Sequence, residues 1–327
     1  MFLICDKKKY ILEKYNMVFQ IEQITDNSYF DIKTLFLKIG YKHSLSYIKK
    51  KYNTCEFGLK NIGFIAKDKG IPAAYYGIFP IRMYYDSVDF LIAQSGDTMT
   101  APSYQKKGLF TKLAKKTYEI SEKRGIKLIF GFPNTNSYSG FKYKLEWKFS
   151  GYMQRFVIEG KTFFVCKLLR KLNILISLCD KIAKKRIAKY IINPENTDLL
   201  AFKFSNVKGQ VKKDLIFFKY KLRQDNVFLI QINGFKILLK IDTFLYIGEV
   251  GEINKTQTKL LISTLKELSK RLGCAAVLFT ISKNHWLFDM LKDEIEPEQS
   301  LPIGFYVIDK DLDINQIQFS NADFDTF

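Results

Sequence analysis

Apolar and polar positions along the chain follow two alternating periods. Between Ile62 and Thr100 they form runs of strand length: Ile62–Lys67, Pro72–Met83 with Tyr75, Tyr76, Ile78, Phe79 and Ile81, and Phe90–Thr100. Short β-branched and aromatic runs of this kind predict strands. The breaks between them, Asp68-Lys69-Gly70 and Tyr85-Asp86-Ser87, carry the residues of hairpin connections. From Leu109 the spacing becomes helical, with Leu109, Leu113, Ala114, Thr117 and Ile120 on one face up to Lys123 and Gly125 as the stop. Ile126–Phe132 predicts a buried strand, and a strand near Val18–Gln23 and a helix near Phe30–Leu37 precede the set. The succession then returns: strands Val227–Ile232, Phe235–Ile241 and Phe244–Val250, helix Lys259–Leu272, strand Ala275–Ile281. Setting Gly273 on Gly125 brings the two runs into register. This predicts an α/β chain of two lobes, 1–159 and 194–327, joined by a connector at 160–193.

The connector changes the picture through its charge. Lys161–Tyr190 holds nine basic residues and one acidic residue, Asp180, with Phe164, Leu168, Leu172, Leu175, Leu178, Cys179 and Ile182 at helical spacing. Such a helix either lies on an anionic membrane surface, a peripheral contact through 161–190, or packs its apolar stripe between lobes with its lysines in water. It does not span a bilayer, because Lys167, Arg170 and Lys171 interrupt its apolar run. At the start of the chain, Asp6-Lys7-Lys8-Lys9 cuts short the apolar Met1–Cys5, so no secretory leader is expected and a cytoplasmic location is.

The 327 residues are 47% hydrophobic and 15% aromatic, enough for two cores and unlike a disordered chain. With 52 Lys and Arg against 33 Asp and Glu the net charge is +19. A basic surface favours phosphates, nucleotides, nucleic acid or anionic lipid, or reflects a lysine-rich composition alone. Nucleic acid is not expected as a partner, for the chain has no helix-turn-helix, zinc or aromatic ribonucleoprotein motif. Five cysteines without a Cys-x-x-Cys fit a reducing compartment. The two histidines, His43 and His285, lack ligand spacing, so neither a metal site nor a histidine triad is expected, and His285 beside Trp286 reads as a packed or surface residue.

Candidate chemistry concentrates between Gly96 and Trp147. A strand ends in Ser95-Gly96-Asp97-Thr98-Met99-Thr100-Ala101-Pro102, and Tyr104-Gln105-Lys106-Lys107-Gly108-Leu109-Phe110 turns directly into a helix. The first turn of a helix offers unpaired N–H groups and the positive end of the macrodipole, and glycine lets backbone approach a phosphate. The turn therefore suits a pyrophosphate. Asp97 in an apolar strand is either a catalytic carboxylate or the partner of nearby backbone or a lysine, since an unpaired buried carboxylate is costly. Glu56 is the other candidate base. Tyr75, Tyr76, Phe79 and Tyr84 suit a sugar-facing cleft or a sheet core equally.

Gln105-Lys106-Lys107-Gly108-Leu109-Phe110 resembles the Gln/Arg-x-x-Gly-x-Gly/Ala loop of the GNAT superfamily of acyl-CoA-dependent N-acyltransferases, with Phe110 where glycine or alanine is usual. The strand, Pro102, loop, helix, strand and the Asn/Ser-rich segment leading to an aromatic-rich helix that ends at Trp147 are similar to that family too. The resemblance implies an α/β (α+β) fold of tandem lobes, each a mixed, mostly antiparallel sheet flanked by helices. The second lobe would have lost the phosphate turn, because Thr256 falls on Gly108 and Ile253 on Gln105. It further implies acetyl-CoA as cosubstrate, pantetheine along Met99 and Thr100, pyrophosphate on Gln105, Lys106, Lys107, Gly108, Leu109 and Phe110, and polar contacts from Asn134 and Asn136. Asp97 would be the base, and Tyr143 or Tyr138 the acid that protonates the leaving thiolate, with Phe141 a competing alignment. The acceptor would be an amine-bearing small molecule, such as an amino sugar for a surface polysaccharide. A non-catalytic binding module of the same fold is the alternative.

Overall fold

A computed structural model of the chain describes residues 18–160, 176–202 and 207–327. Their strands are β1 (Gln20–Gln23), β2 (Ile62–Asp68), β3 (Ile71–Tyr85), β4 (Val88–Thr100), β5 (Leu128–Gly131), β6 (Lys148–Glu159), β7 (Gly209–Val211), β8 (Val227–Ile232), β9 (Phe235–Ile241), β10 (Leu245–Val250), β11 (Ala276–Ser282), β12 (Glu298–Val307) and β13 (Ile317–Gln318). The helices are α1 (Tyr29–Lys38), α2 (Leu45–Tyr52), α3 (Leu109–Lys123), α4 (Thr135–Ser139), α5 (Ile176–Ile187), α6 (Leu215–Leu222), α7 (Thr258–Leu272) and α8 (Phe288–Lys292). The described residues fall into two compact units, the first within Met1–Asn53, Leu59–Phe79 and Ser95–Arg124, the second within Thr54–Gly58, Pro80–Gln94 and Gly125–Phe327. Helices flank mostly antiparallel β-structure, the architecture expected from the sequence.

In the first unit β1 pairs antiparallel with β2 and β2 with β3, registered Gln20↔Lys67 and Ile62↔Ile78. Helix α3 keeps the predicted bounds and lays Leu113, Ala114, Thr117, Tyr118 and Ser121, all buried, against β2. Helix α2 is absent from the sequence-based expectation, because Lys49-Lys50-Lys51 masks its apolar side. Its start is nevertheless signalled: the Ser44 hydroxyl accepts from Tyr47 N–H at 3.0 Å as an N-cap. Ile32, Leu35, Ile48, Tyr52, Ile65, Tyr75, Phe79 and Met99 close one core beneath α1 and α2.

In the second unit β4 pairs parallel with β5 at Ala93↔Ile129, and β10 pairs parallel with β11 at Leu245↔Val277. Each parallel pair brackets a 15-residue helix, α3 or α7. The hairpin β8–β9 and the pair β9–β10 are antiparallel. The strands of the two sequence halves are interleaved. Strand β12 lies between β5 and β6, pairing Phe305↔Phe130 with one and Glu298↔Arg155 with the other. Strand β6 in turn pairs with β11 along Ala276↔Glu159 to Ser282↔Met153. Pairing therefore crosses the division into 1–159 and 194–327.

The connector expectation is testable only from residue 176 onward; 161–175 lie outside the described residues. Within α5, Ala183 and Ile187 are buried in the core that contains Leu261, Leu265, Leu268 and Leu272 of α7. Of the expected apolar stripe only Ile182 has a described side chain, and it is exposed. No helix among the described residues is long and apolar enough to cross a membrane.

Candidate active site

The first unit carries the turn. Strand β4 ends at Thr100, Ala101 N–H donates to Ala73 at 2.9 Å, and Pro102–Tyr104 makes a single tight turn. Lys106 and Gly108 both have positive φ, 61° and 74°, so two left-handed residues turn the chain into α3. Gly108 occupies the N-cap, and no side chain among the described residues caps α3. The positive end of the helix dipole lies at this turn, where Lys106 is exposed and the Lys107 ammonium lies 5.0 Å from the Tyr104 ring. A Cβ built on Gly108 meets nothing within 4 Å. Phe110 does not fill the cradle: its ring meets Tyr76 edge-on at 5.9 Å. Gln105 is exposed, Leu109 is buried under the turn, Met99 is core, and Thr100 is half-buried.

The corresponding helix of the second unit begins differently. Asn254 and Gln257 reciprocally cap the tight turn Lys255–Gln257 that leads into α7, the Asn254 N–H donating to Gln257 Oε1 at 2.9 Å and the Gln257 N–H to Asn254 Oδ1 at 3.2 Å.

Asp97 has φ +52°, an uncommon conformation for a non-glycine residue, and its carboxylate faces α2. Lys51 Nζ lies 2.7 Å from Oδ1 and Tyr52 Oη donates to Oδ2 at 3.1 Å. The Lys51 side chain is 2% exposed and that of Asp97 9%. Both carboxylate oxygens are engaged, and a carboxylate satisfied by an ammonium and a phenol is a weak proton acceptor. The lysine partner named in one of the two readings of Asp97 is present as Lys51. Burial, with the Asp97 charge next, pushes the Tyr52 phenol well above its ordinary value. Tyr75, Tyr76 and Phe79 belong to the sheet core and do not form an open cleft. Burial likewise raises the phenols of Tyr75 and Tyr76.

The remaining sequence candidates lie in the second unit. Asn134 caps α4, its Oδ1 accepting from Asn136 N–H at 3.0 Å and Ser137 N–H at 3.1 Å, so an ordinary helix start accounts for it. Asn136 is exposed. The expected aromatic-rich helix is instead short α4 followed by a wider π-type turn, Gly140–Lys144. Of the acid candidates, Tyr143 is 72% exposed, whereas Tyr138 is half-buried with its ring 4.8 Å from Phe149. Its hydrogen bond is the main cause of a raised Lys142 ammonium. Phe141 is buried against Trp147 at 4.4 Å. Glu56 is paired with Arg223 and partly exposed. Tyr84 is half-buried with Lys212 5.4 Å above its ring.

Sequence reasoning missed a buried cluster in this unit. Lys213 Nζ lies 3.1 Å from Glu249 Oε2 and 3.2 Å from Asp323 Oδ1, and His285 Nε2 lies 3.4 Å from Glu249 Oε1. Burial raises the Glu249 carboxyl, but Lys213 and then His285 outweigh it and bring it to about 2. Burial lowers Lys213, but Asp323 and then Glu249 outweigh it in the other direction. His285 Nδ1 accepts from Leu287 N–H at 3.3 Å, which directs the Nε2 proton at Glu249. His285 is the packed residue of the two readings.

A glycine-entered helix behind a strand, in mixed β-structure flanked by helices, offers a general site for phosphate groups. Residues 41–149 match the family model of the acetyltransferase (GNAT) domain. Solved structures agree on the fold. A GCN5-related N-acetyltransferase from Kribbella flavida matches 89% of this chain and 71% of its own at 12% identity and TM-score 0.59. One from Anabaena variabilis matches 89% and 73% at 12% identity and TM-score 0.57. The N-myristoyltransferase of Saccharomyces cerevisiae, with bound myristoyl-CoA, matches 89% and 82% at 9% identity and TM-score 0.53. No curated protein matches the sequence. Family and fold together support acyl transfer as the general activity and acyl-CoA as the donor class.

Proposed function

We propose that the protein is an N-acyltransferase that moves an acetyl group from acetyl-CoA to a primary amine on a small molecule, with an amino sugar of surface-polysaccharide synthesis as the first acceptor to try. The observation that carries the donor half is the entry to the two 15-residue helices: α3 opens directly on Gly108, in left-handed conformation and with space beside it, whereas α7 is led into by a turn, Lys255–Gln257, that Asn254 and Gln257 cap. The acceptor half rests on resemblance to the family.

Within this reading, Gln105 to Phe110 hold the pyrophosphate through backbone N–H groups, and Lys106 and Lys107 lower its charge. Met99 and Thr100 bond pantetheine through the backbone of β4. By resemblance to the family, Tyr143 or Tyr138 would protonate the departing thiolate.

The test is calorimetric titration of acetyl-CoA into the wild type and Gly108→Trp. An indole at a φ of +74° strains the turn and projects into its open side. Micromolar binding that weakens more than tenfold in the variant supports the reading. No binding to the wild type at millimolar acetyl-CoA overturns it and leaves a non-catalytic binding module.

A further inference from the structure

Away from the turn that opens α3, the second unit carries an open groove of about 690 Å³ between α5 and the C-terminal end of α7. Helix α5 has two unlike faces. Ala183 and Ile187 enter the core shared with α7, whereas Ile182, Lys185, Arg186 and, in the turn that follows, Lys189 line the groove at helical spacing. Ile182 is 42% exposed, and the three basic residues beyond it are exposed too. On the opposite wall Leu268 and Leu272 of α7 floor the groove, with Arg271 between them.

Two arginines and a tyrosine tie the walls together. Arg186 Nη1 donates to the Arg271 carbonyl at 2.6 Å, and Arg271 Nη1 donates to Tyr190 Oη at 3.3 Å. The first bond satisfies a carbonyl at the negative end of α7 and so accounts for Arg186. It does not account for Lys185, or for Lys189, whose ammonium lies 4.9 Å from the Tyr190 ring. The one acid of each helix is engaged: Asp180 accepts from Asn226 at 3.2 Å, and Glu267 lies 3.2 Å from Arg271 Nε and 4.0 Å from Lys270. Four cations therefore surround an exposed aliphatic side chain and a tyrosine ring. A soluble anion would use the charge and leave Ile182 idle. A phospholipid surface uses both, because its phosphates meet the cations while aliphatic and aromatic side chains enter the acyl boundary.

We propose that this face of α5 and α7 docks on an anionic phospholipid surface, with a headgroup phosphate seated among Lys185, Arg186, Lys189 and Arg271. Ile182 and the ring of Tyr190 reach past the phosphates, and the Tyr190 hydroxyl stays on Arg271 at the wet edge. The contact is peripheral, and the core face of α5 is unchanged by it. The inference stands apart from the acyltransferase reading and neither needs it nor supports it.

The experiment is co-sedimentation of the full chain with vesicles of phosphatidylcholine alone and with about one-third phosphatidylglycerol. Wild type should bind the anionic vesicles only, and more weakly as salt is raised. Each basic residue at an anionic surface contributes about fivefold in affinity, so Lys185→Gln/Lys189→Gln should bind about 25-fold more weakly. Ile182→Gln should also weaken vesicle binding while leaving binding to inorganic polyphosphate unchanged. Because the whole chain carries +19, the control is Lys283→Gln/Lys292→Gln, which removes the same charge at exposed positions outside the groove and should stay within about twofold of wild type. Thermal midpoints equal to wild type show that each variant is folded. Three results overturn the inference: no wild-type binding to anionic vesicles, an equal loss in the control pair, or full vesicle affinity in Ile182→Gln. The second assigns the attraction to the chain's overall charge, and the third leaves a site for soluble anions.

Discussion

Two buried acid–lysine pairs occupy the same place in the two halves of the chain. Gly96-Asp97 follows Ala93, the residue paired parallel with β5, at the spacing with which Gly248-Glu249 follows Leu245, paired parallel with β11. Both positions are irregular: Asp97 has a positive φ, and the register of β10 shifts between Ile247 and Glu249. Asp97 binds Lys51 and Glu249 binds Lys213. The second site is the more closed, and its energetics follow from what removal would leave. Lys213→Met strands Glu249 and Asp323 as buried carboxylates, so it should cost about 3–5 kcal/mol in urea denaturation at pH 7. Glu249 stands near 2 against the ordinary 4.5, so its share of stability is present above about pH 4.5 and is lost as pH falls through about 2. Urea midpoints measured between pH 7 and 2.5 should show that acid loss in the wild type and less of it in Lys213→Met. At this scale the sequence marked Gly108 and Asp97, because a glycine before a helical run and an acid in an apolar strand break local rules. It did not mark Lys51 or Lys213, whose partners are fixed by tertiary packing rather than by spacing.

Elements were more legible than residues. Helix α3 keeps both predicted ends and α7 differs at one end by a residue, since period, start and stop agree locally. Strands β8 and β9 match the apolar runs between their turns. Strand β12 had no such signal: Glu298-Gln299-Ser300 opens it in polar residues, and Pro302 interrupts it at a register shift with β6. What lets it fit is small size at one point. A Cβ on Gly304 would lie 2.8 Å from both the Phe149 and Trp147 rings. Gly304→Val should therefore destabilise the fold by about 1–3 kcal/mol through overpacking, seen as a lowered thermal midpoint, whereas Glu252→Val at an exposed position should leave it within about 0.5 kcal/mol. The period of the chain reveals which segments are strands, and not which neighbour each will choose.

For the whole molecule, that choice of neighbour decides how separable the two sequence halves are. Because β12 completes the pairing of both β5 and β6, and β6 that of β11, residues 1–160 made alone would leave strand edges open. We expect such a fragment to aggregate on expression. Co-expression with residues 176–327 should yield a soluble complex of the two pieces, detectable by gel filtration; a soluble, monomeric 1–160 would contradict this. Sequence repetition made the halves look independent because it records their similarity and contains nothing about exchanged strands.

The placement of β12 also sets a timetable for the growing polypeptide. Strand β5 is complete once residue 131 has been made, but its antiparallel neighbour ends at residue 307. A ribosome must add every residue in between before that edge can be covered. During translation the apolar Leu128-Ile129-Phe130 run waits as an unfilled slot, open to any nascent strand nearby. Early chaperone engagement at that run, released when residue 307 leaves the exit tunnel, is the cellular counterpart of the interleaved sheet.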